Sequence, residues 1–421
     1  MKVLWIIPKP LARVIDEFNL PIKKQPIGGW IDLVSEKMYA DPAIKLTVCF
    51  QGNLNGSNSH GNKEKIEYYS LDLDHNLESN AQQMLECTQP DIIHIFGSES
   101  DFNRRIGHLC CKSKFRERTI LWIQGLKYIY AQHFMGGIPP VVQMVPTLRD
   151  VIRKDSLAIQ QRKFYADGED EIKLLQELKY VSGRTSWDEI AVKNANPNIA
   201  YISLNETMRA LFYNTTWDIT KAESHTIFIS QGHYPIKGYH WVLLAMAILK
   251  EKYPDIKLLV SGWDSAFVRG LKETAYGRYT RKIIEKSGLS NAVKYVGMLN
   301  EMEMVNTFLK SKVYVMPSSI ENSPNSLGEA MLLGMPIVSS CVGGVNDLLQ
   351  DKTEGFLYSY DSPYMLAGYI DRIFQDDKMA VSMGQSARSH ALKTHDPNVN
   401  YDKLLSVYHE IVKKNDEEEI V

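Results

Sequence analysis

No two glycines in this chain are separated by a single residue, so the G-x-G-x-x-G turn that cradles dinucleotides is missing, and no P-loop replaces it. A dinucleotide-dependent oxidoreductase is thereby set aside. Cysteine is sparse and odd in number: Cys49, Cys87, Cys110, Cys111 and Cys341 show neither a C-x-x-C pair nor a disulfide-like spacing, which fits a reducing compartment. No apolar run reaches the ~18 residues that a spanning helix needs, so any membrane contact is expected to be peripheral and the location cytoplasmic. The opening MKVLWIIPKP is too brief for a signal-peptide core and reads as a first strand. A net charge of -2 implies no bulk electrostatic partner such as nucleic acid.

What is present is an ordinary globular composition, 44% hydrophobic and 23% charged, over 421 residues. That length exceeds what one hydrophobic core usually serves, and two domains are expected. Short apolar runs alternate with stretches of helical period, the signature of an α/β fold with parallel sheets covered on both faces. The predicted strands in the first half are 3–7, 45–50, 66–69, 91–96, 119–124 and 180–182. In the second half they are 226–230, 257–262, 294–296, 313–317, 337–340 and 356–358. These give two doubly wound Rossmann-like domains, 1–220 and 221–395, followed by a segment 396–421 whose apolar spacing at Leu404, Leu405, Tyr408, Ile411 and Val412 predicts a packed helix. The acidic residues 416–419 are assigned no role.

Ligands of such sheets collect where strands end, and the loop after 313–317 has a physical grammar. It reads S-S-I-E-N-S-P-N-S-L-G-E-A-M-L-L-G-M-P. Pro324 fixes an extended turn, and Asn325 or Ser326 is placed to cap a helix through Leu327, with Glu329 in its first turn. Gly334 and Pro336 end that helix. Its free N-H groups and positive dipole end suit a diphosphate, while Glu329 and Glu321 suit hydroxyl pairs of a ribose and a sugar. On spacing alone, an ordinary helix glutamate and a loop charge explain the same residues.

This stretch, continuing through P-I-V-S-S-C-V-G-G-V-N-D, resembles the donor-site region of the retaining GT-B glycosyltransferases of family four. Glu321 and Glu329 match that family's two glutamates, Gly343, Gly344 and Asp347 its glycine pair and acid, and Gly355 its next turn. The segment 230–238 resembles the family's phosphate loop, with Lys237 at its diphosphate lysine; the usual arginine is missing and Gln231 or His233 occupies its neighbourhood. Gly28 and Gly29 resemble the glycine loop that closes under the donor. The strand 91–96 resembles one whose histidine, here His94, is structural. Gln124 stands where relatives place a sugar-contacting histidine; it can position a hydroxyl but carries no proton, and His133 is a second candidate. Residues 180–188 look like a segment of a bacterial surface-polysaccharide subgroup, with Arg184 at a strand end able to hold the donor phosphate or an acceptor.

The resemblance implies a GT-B enzyme with two domains facing a cleft and the last helix returning to the first domain. It would transfer a sugar with retention from a UDP- or GDP-sugar to a saccharide or lipid-linked acceptor. Lys237, Glu321 and Gln124 would act at the reacting centre. Lys237, Glu321, Glu329, Asn322, Ser323, Asn325, Ser326 and Leu327 would join Gly28, Gly29, Arg184, Gln231 and His233 around the donor. With no Asp-x-Asp expected on a strand-end loop and no histidine cluster, neither metal nor cofactor is expected. Two other readings remain open: a nucleotide-sugar epimerase of the same architecture, and a non-catalytic nucleotide-sugar-binding partner of a transferase. The basic stretch 112–118 is a candidate for anionic lipid, with a solvated helix end as its plainer explanation.

Overall fold

The computed structural model describes residues 1–22, 29–52, 58–63, 65–73 and 76–419. They form two compact units, one of residues 1–128, 167–207 and 395–421, the other of residues 129–166 and 208–394. The sequence-based division assigned 129–166 to the first domain; here that segment groups with the second unit.

The first unit is built on β1 (Lys2–Ile7), β2 (Lys45–Gln51), β3 (Ser59–Lys63), β4 (Ile66–Leu71), β5 (Ile92–Phe96), β6 (Thr119–Trp122), β7 (Tyr180–Gly183) and β8 (Ala200–Ser203). They lie in the order β3-β4-β2-β1-β5-β6-β7-β8, and only the β3–β4 pair is antiparallel. Every residue of β5, β6 and β7 is buried, which explains why their sequences lack the polar alternation of a half-exposed strand. The two strands not foreseen are the exposed ones: β3 reads SHGNK and β8 reads AYIS, and both sit at the sheet's edges with little apolar signal.

The helix Pro397–Glu419 buries Leu404, Tyr408 and Ile411 in this unit's core. The Tyr408 hydroxyl accepts a hydrogen bond from Trp5 Nε1 at 3.1 Å and lies 2.6 Å from His94 Nδ1. Burial drives the His94 imidazole down to about 3, so it is neutral. His94 therefore has a structural role as part of a latch between strands β1 and β5 and this helix.

In the second unit β9 (Glu223–Ile229), β10 (Lys257–Ser261), β11 (Val293–Gly297), β12 (Ser311–Met316), β13 (Ile337–Ser340) and β14 (Phe356–Tyr358) are all parallel, in the order β11-β10-β9-β12-β13-β14. One apolar cluster, including Val242, Met246, Leu366 and Ile370, covers one face of this sheet. A second, including Leu327, Met331, Leu332 and Ala387, covers the other. Strand order reverses between β9 and β12, and the carboxyl ends of those two strands flank the crevice where such sheets bind ligands.

Among the described residues no helix is long and apolar enough to cross a membrane.

Candidate functional site

In the second unit the chain leaves β9 at Ile229 and runs through Ser230 to a short 3-10 turn, Pro235–Lys237. Gly238 follows with φ +66°, and a Cβ there would stand 1.8 Å from the Pro317 carbonyl oxygen. Only glycine lets the loop after β9 press against the start of the loop after β12. That approach brings Lys237 Nζ within 2.5 Å of Glu321 Oε1, which also accepts from Ser318 Oγ at 2.6 Å. Burial disfavours the Lys237 ammonium, but the negative Glu321 and the neighbouring Tyr234 outweigh it and hold this lysine above its ordinary range. A permanently charged cation therefore sits at the topological switch point.

The Glu321 backbone is fixed from the next strand. Gly343, at φ +52°, leaves no side chain in the way of the Glu321 carbonyl, which a Cβ would meet at 1.8 Å, and Gly344 N-H donates to that oxygen at 3.1 Å. The glycine pair thus positions Glu321. Asn322 N-H donates to the Tyr130 hydroxyl at 3.2 Å, and Ser319 Oγ donates to the His133 carbonyl at 3.1 Å. Residues 129–137 are therefore part of this site's wall. His133 contributes its backbone, and burial lowers its imidazole pKa.

The helix Asn325–Leu333 starts as expected after Pro324 and ends at Gly334, φ +73°. Two details differ from the sequence reading. Pro324 itself is the cap residue and makes no side-chain bond, so Asn325 and Ser326 lie inside the first turn; Ser326 Oγ instead accepts from the Tyr314 hydroxyl at 2.7 Å. Tyr314, on β12, also lies 3.0 Å from Ser230 Oγ and so ties both switch loops together. Glu329 lies just past the first turn and not in it. Burial pushes its carboxyl upward, and the Arg209 guanidinium opposes this through a two-pronged contact at 2.6 and 2.8 Å. Leu327 is fully buried, Asn322 and Ser323 are buried beside Glu321, and Gln231 is exposed. His233 is half-buried, its Nδ1 has no hydrogen-bond partner, and burial lowers its pKa. Asn325 Oδ1 is likewise buried and unsatisfied.

In the first unit, Gln124 follows β6 by two residues and donates to Glu206 Oε1 at 2.9 Å. Arg184, just after β7, is ion-paired with the other oxygen of Glu206, and both side chains are almost wholly buried. Arg184 Nε remains buried without a partner. His395 Nδ1 and Asn400 fix the Glu206 carbonyl. Thr185 and Asp188 form a reciprocal cap on the helix Ser186–Ala195. Gly29 opens the helix Gly29–Ala40, and Gly28 lies outside the described residues.

The expected absence of an Asp-x-Asp after a strand is corrected: Asp72-Leu73-Asp74 directly follows β4. Asp72 N-H is held by Asn58 Oδ1 at 2.6 Å, and Asp74 lies outside the described residues. The basic stretch 112–118 is largely partnered, with Arg116 Nε bound to the Glu177 carbonyl and Lys114 to Gln89.

The sequence reading missed Arg209, Tyr314, Ser318, Tyr130 and Glu206. Only Tyr314 carried a usable signal, as a phenol in the middle of a buried strand whose hydroxyl needs a partner.

Residues 215–390 match the family described as glycosyl transferases group 1. A D-inositol 3-phosphate glycosyltransferase of Corynebacterium urealyticum is 29% identical over 160 residues, 38% of this chain and 37% of that protein. The chain thus matches little more than a third of that relative's length. Among solved structures, the sucrose-phosphate synthase of Thermosynechococcus elongatus superposes with a TM-score of 0.73 at 14% identity, covering 98% of this chain and 100% of the other. The Anabaena protein Alr3699/HepE, solved with UDP-glucose, gives 0.65 at 14% identity, covering 97% and 100%. Two doubly wound parallel sheets with a closing helix are the GT-B fold.

Proposed function

We propose that this chain is a glycosyltransferase that takes a sugar from a nucleoside-diphosphate sugar and passes it to an acceptor hydroxyl with retention of configuration. The observation that carries this reading is the Lys237–Glu321 pair at the switch point between β9 and β12, beside the opening turn of the helix Asn325–Leu333. In this reading Lys237 and the amides of Ser323 to Leu327 neutralise the departing diphosphate, which is where charge builds up in the transition state. Glu321 accepts hydrogen bonds from sugar hydroxyls. Glu329 receives the ribose hydroxyls, with the Arg209 guanidinium aiming its carboxyl group. No side-chain nucleophile is assigned; a phosphate oxygen takes the acceptor proton.

His233 Nδ1 and Asn325 Oδ1, buried and unpartnered beside these loops, are the groups a bound donor would satisfy. Arg209 also carries positive charge that the loop 230–238 lacks outside Lys237. Gln124 and Arg184 belong to the same reading as positioning groups. The match of residues 215–390 to glycosyl transferases group 1 supports the reaction class, and the neighbour solved with UDP-glucose makes that compound the first donor to try. Acceptors are proposed to be saccharide or lipid-linked, in polysaccharide or glycoconjugate synthesis, inside the cell.

The deciding experiment is a thermal-shift and calorimetric series with UDP, GDP, ADP and their common sugars, since a ligand that binds only the native state raises its melting temperature. One nucleotide family should stabilise the protein; if none does, the reading is lost. With a donor found, NMR of the product's anomeric carbon tests retention. Turnover undiminished by excess chelator is expected, because Lys237 and the helix start carry the charge a metal would otherwise supply.

A further inference from the structure

The second unit displays an apolar surface that its core does not use. Within twelve residues, Val141, Met144, Val145, Leu148, Val151 and Ile152 are each more than half exposed, from 52% at Val145 to 73% at Met144. All but Val145, which caps the first, sit on two short helices, Pro140–Met144 and Leu148–Ile152. Leu271, 73% exposed in the turn Gly270–Lys272, packs beside the second of these. Together these side chains offer water an apolar patch on the order of several hundred Å², the size that marks a contact surface on a soluble protein.

The segment is held firmly from below. Thr147 and Asp150 cap the second helix reciprocally, both are buried, and both reach across to the start of the helix Ala275–Lys286. Thr147 Oγ1 donates to the Glu273 carbonyl at 2.6 Å, and Asp150 Oδ2 accepts from Ala275 N-H at 3.0 Å. The polar side chains thus anchor the helix while its apolar ones face outward, the reverse of a helix that folds against its own core.

Charge decides what covers this patch. Arg153, Lys154 and Lys272 are exposed, and none has a carboxylate partner among the described residues. The carboxylates of the same stretch, Asp150 and Asp155, are both taken by Arg149. A second copy of the chain would bring the same cations face to face. Protein interfaces in general are poor in lysine. An anionic bilayer satisfies both features at once, taking the apolar side chains below the headgroups and the cations among the phosphates.

We propose that the face formed by residues 141–154 and 271–272 docks on the surface of an anionic membrane, lying in the interface without crossing it. The stretch 112–118 is not this surface, because its cations are engaged within the first unit. The inference does not depend on the donor reading, since the binding test contains no sugar nucleotide.

The test is flotation of the full chain with phosphatidylcholine vesicles, with and without phosphatidylglycerol. The parent should float with the anionic vesicles, and less so at high salt. Leu148→Ser with Ile152→Ser should lower the partition coefficient at least about tenfold at any salt, as loss of buried apolar surface requires. Arg153→Ala with Lys154→Ala should act only on the anionic vesicles. Unchanged melting temperatures, expected because these side chains are exposed, exclude a folding defect. A parent that stays in solution with both vesicle types would overturn the proposal, as would substituted proteins that float like the parent. A concentration-dependent dimer abolished by Leu148→Ser/Ile152→Ser, without vesicle binding, would assign the patch to self-association and overturn it as well.

Discussion

The two units present the same kind of strand-end chemistry in different ways. In the second, the site is local: two loops, 230–238 and 317–326, supply the lysine, the glutamate and the helix start, and glycines at 238 and 343 let the backbones touch. In the first, Gln124, Arg184 and Glu206 come from the ends of three different strands, and the cluster is closed upon itself by a buried ion pair. In the second unit His233 Nδ1 and Asn325 Oδ1 are buried without partners beside the switch loops; in the first, the Glu206 carboxylate answers both Gln124 and Arg184, and only Arg184 Nε of that cluster is left over. A carboxylate that already answers two neighbours is set up mainly to hold a shape, whereas loops whose polar atoms lack partners are set up for a ligand.

The strongest way to break that contrast is to remove one member of a buried pair in each unit. Arg209→Ala and Arg184→Ala should each destabilise by about 3–5 kcal/mol, because each leaves a buried carboxylate unpaired. Calorimetric unfolding checks this. Only the first should also weaken nucleotide binding, and Arg209→Met with Glu329→Leu should regain stability without regaining affinity. Equal losses of affinity from both arginines would erase the distinction between the units.

Next in size, Lys237→Met should lower turnover by about 10²–10³-fold, equivalent to ~3–4 kcal/mol of transition-state stabilisation. Gln124→Ala, measured in the same steady-state assay, should cost far less because it transfers no proton. Smaller again, Gly343→Ala should destabilise by about 2 kcal/mol, combining a left-handed backbone with a clash against the Glu321 carbonyl. Donor affinity should fall with it in titration calorimetry, since Glu321 must move.

The last test sharpens the comparison through pH. In the first unit burial pushes Glu99 up to about 7 and Glu171 up to about 8, while both ionise near 4.5 when unfolded. Between those values the folded state holds more protons than the unfolded one, so stability falls as pH rises from about 5 to 8. Glu171→Gln should flatten that slope in melting curves recorded across this range.

The sheets were legible in the sequence because buried parallel strands write continuous apolar runs, and all twelve predicted strands appear within a few residues of their expected bounds. The polar edge strands β3 and β8 write no such run. The second unit's loops were legible for a related reason: Pro324, Gly334, Gly238 and Gly343 each answer a local backbone demand. Arg209 and Glu206 were not, because each finds its partner across a large sequence separation and nothing near either of them states that need. The Glu206 partner of Arg184 was hidden for the same reason: the sequence shows the guanidinium and not the carboxylate paired with it.

The latch of Trp5, His94 and Tyr408 also sets an order of events during synthesis. Trp5 waits for a partner 403 residues later, so β1 and β5 emerge from the ribosome with an apolar face whose cover is completed only by the last helix. The second unit, drawn from residues 129–166 and 208–394, has all its strands before the helix Pro397–Glu419 is made. The half translated first is thus finished last, and its uncovered sheet is the surface on which a chaperone would be expected during translation.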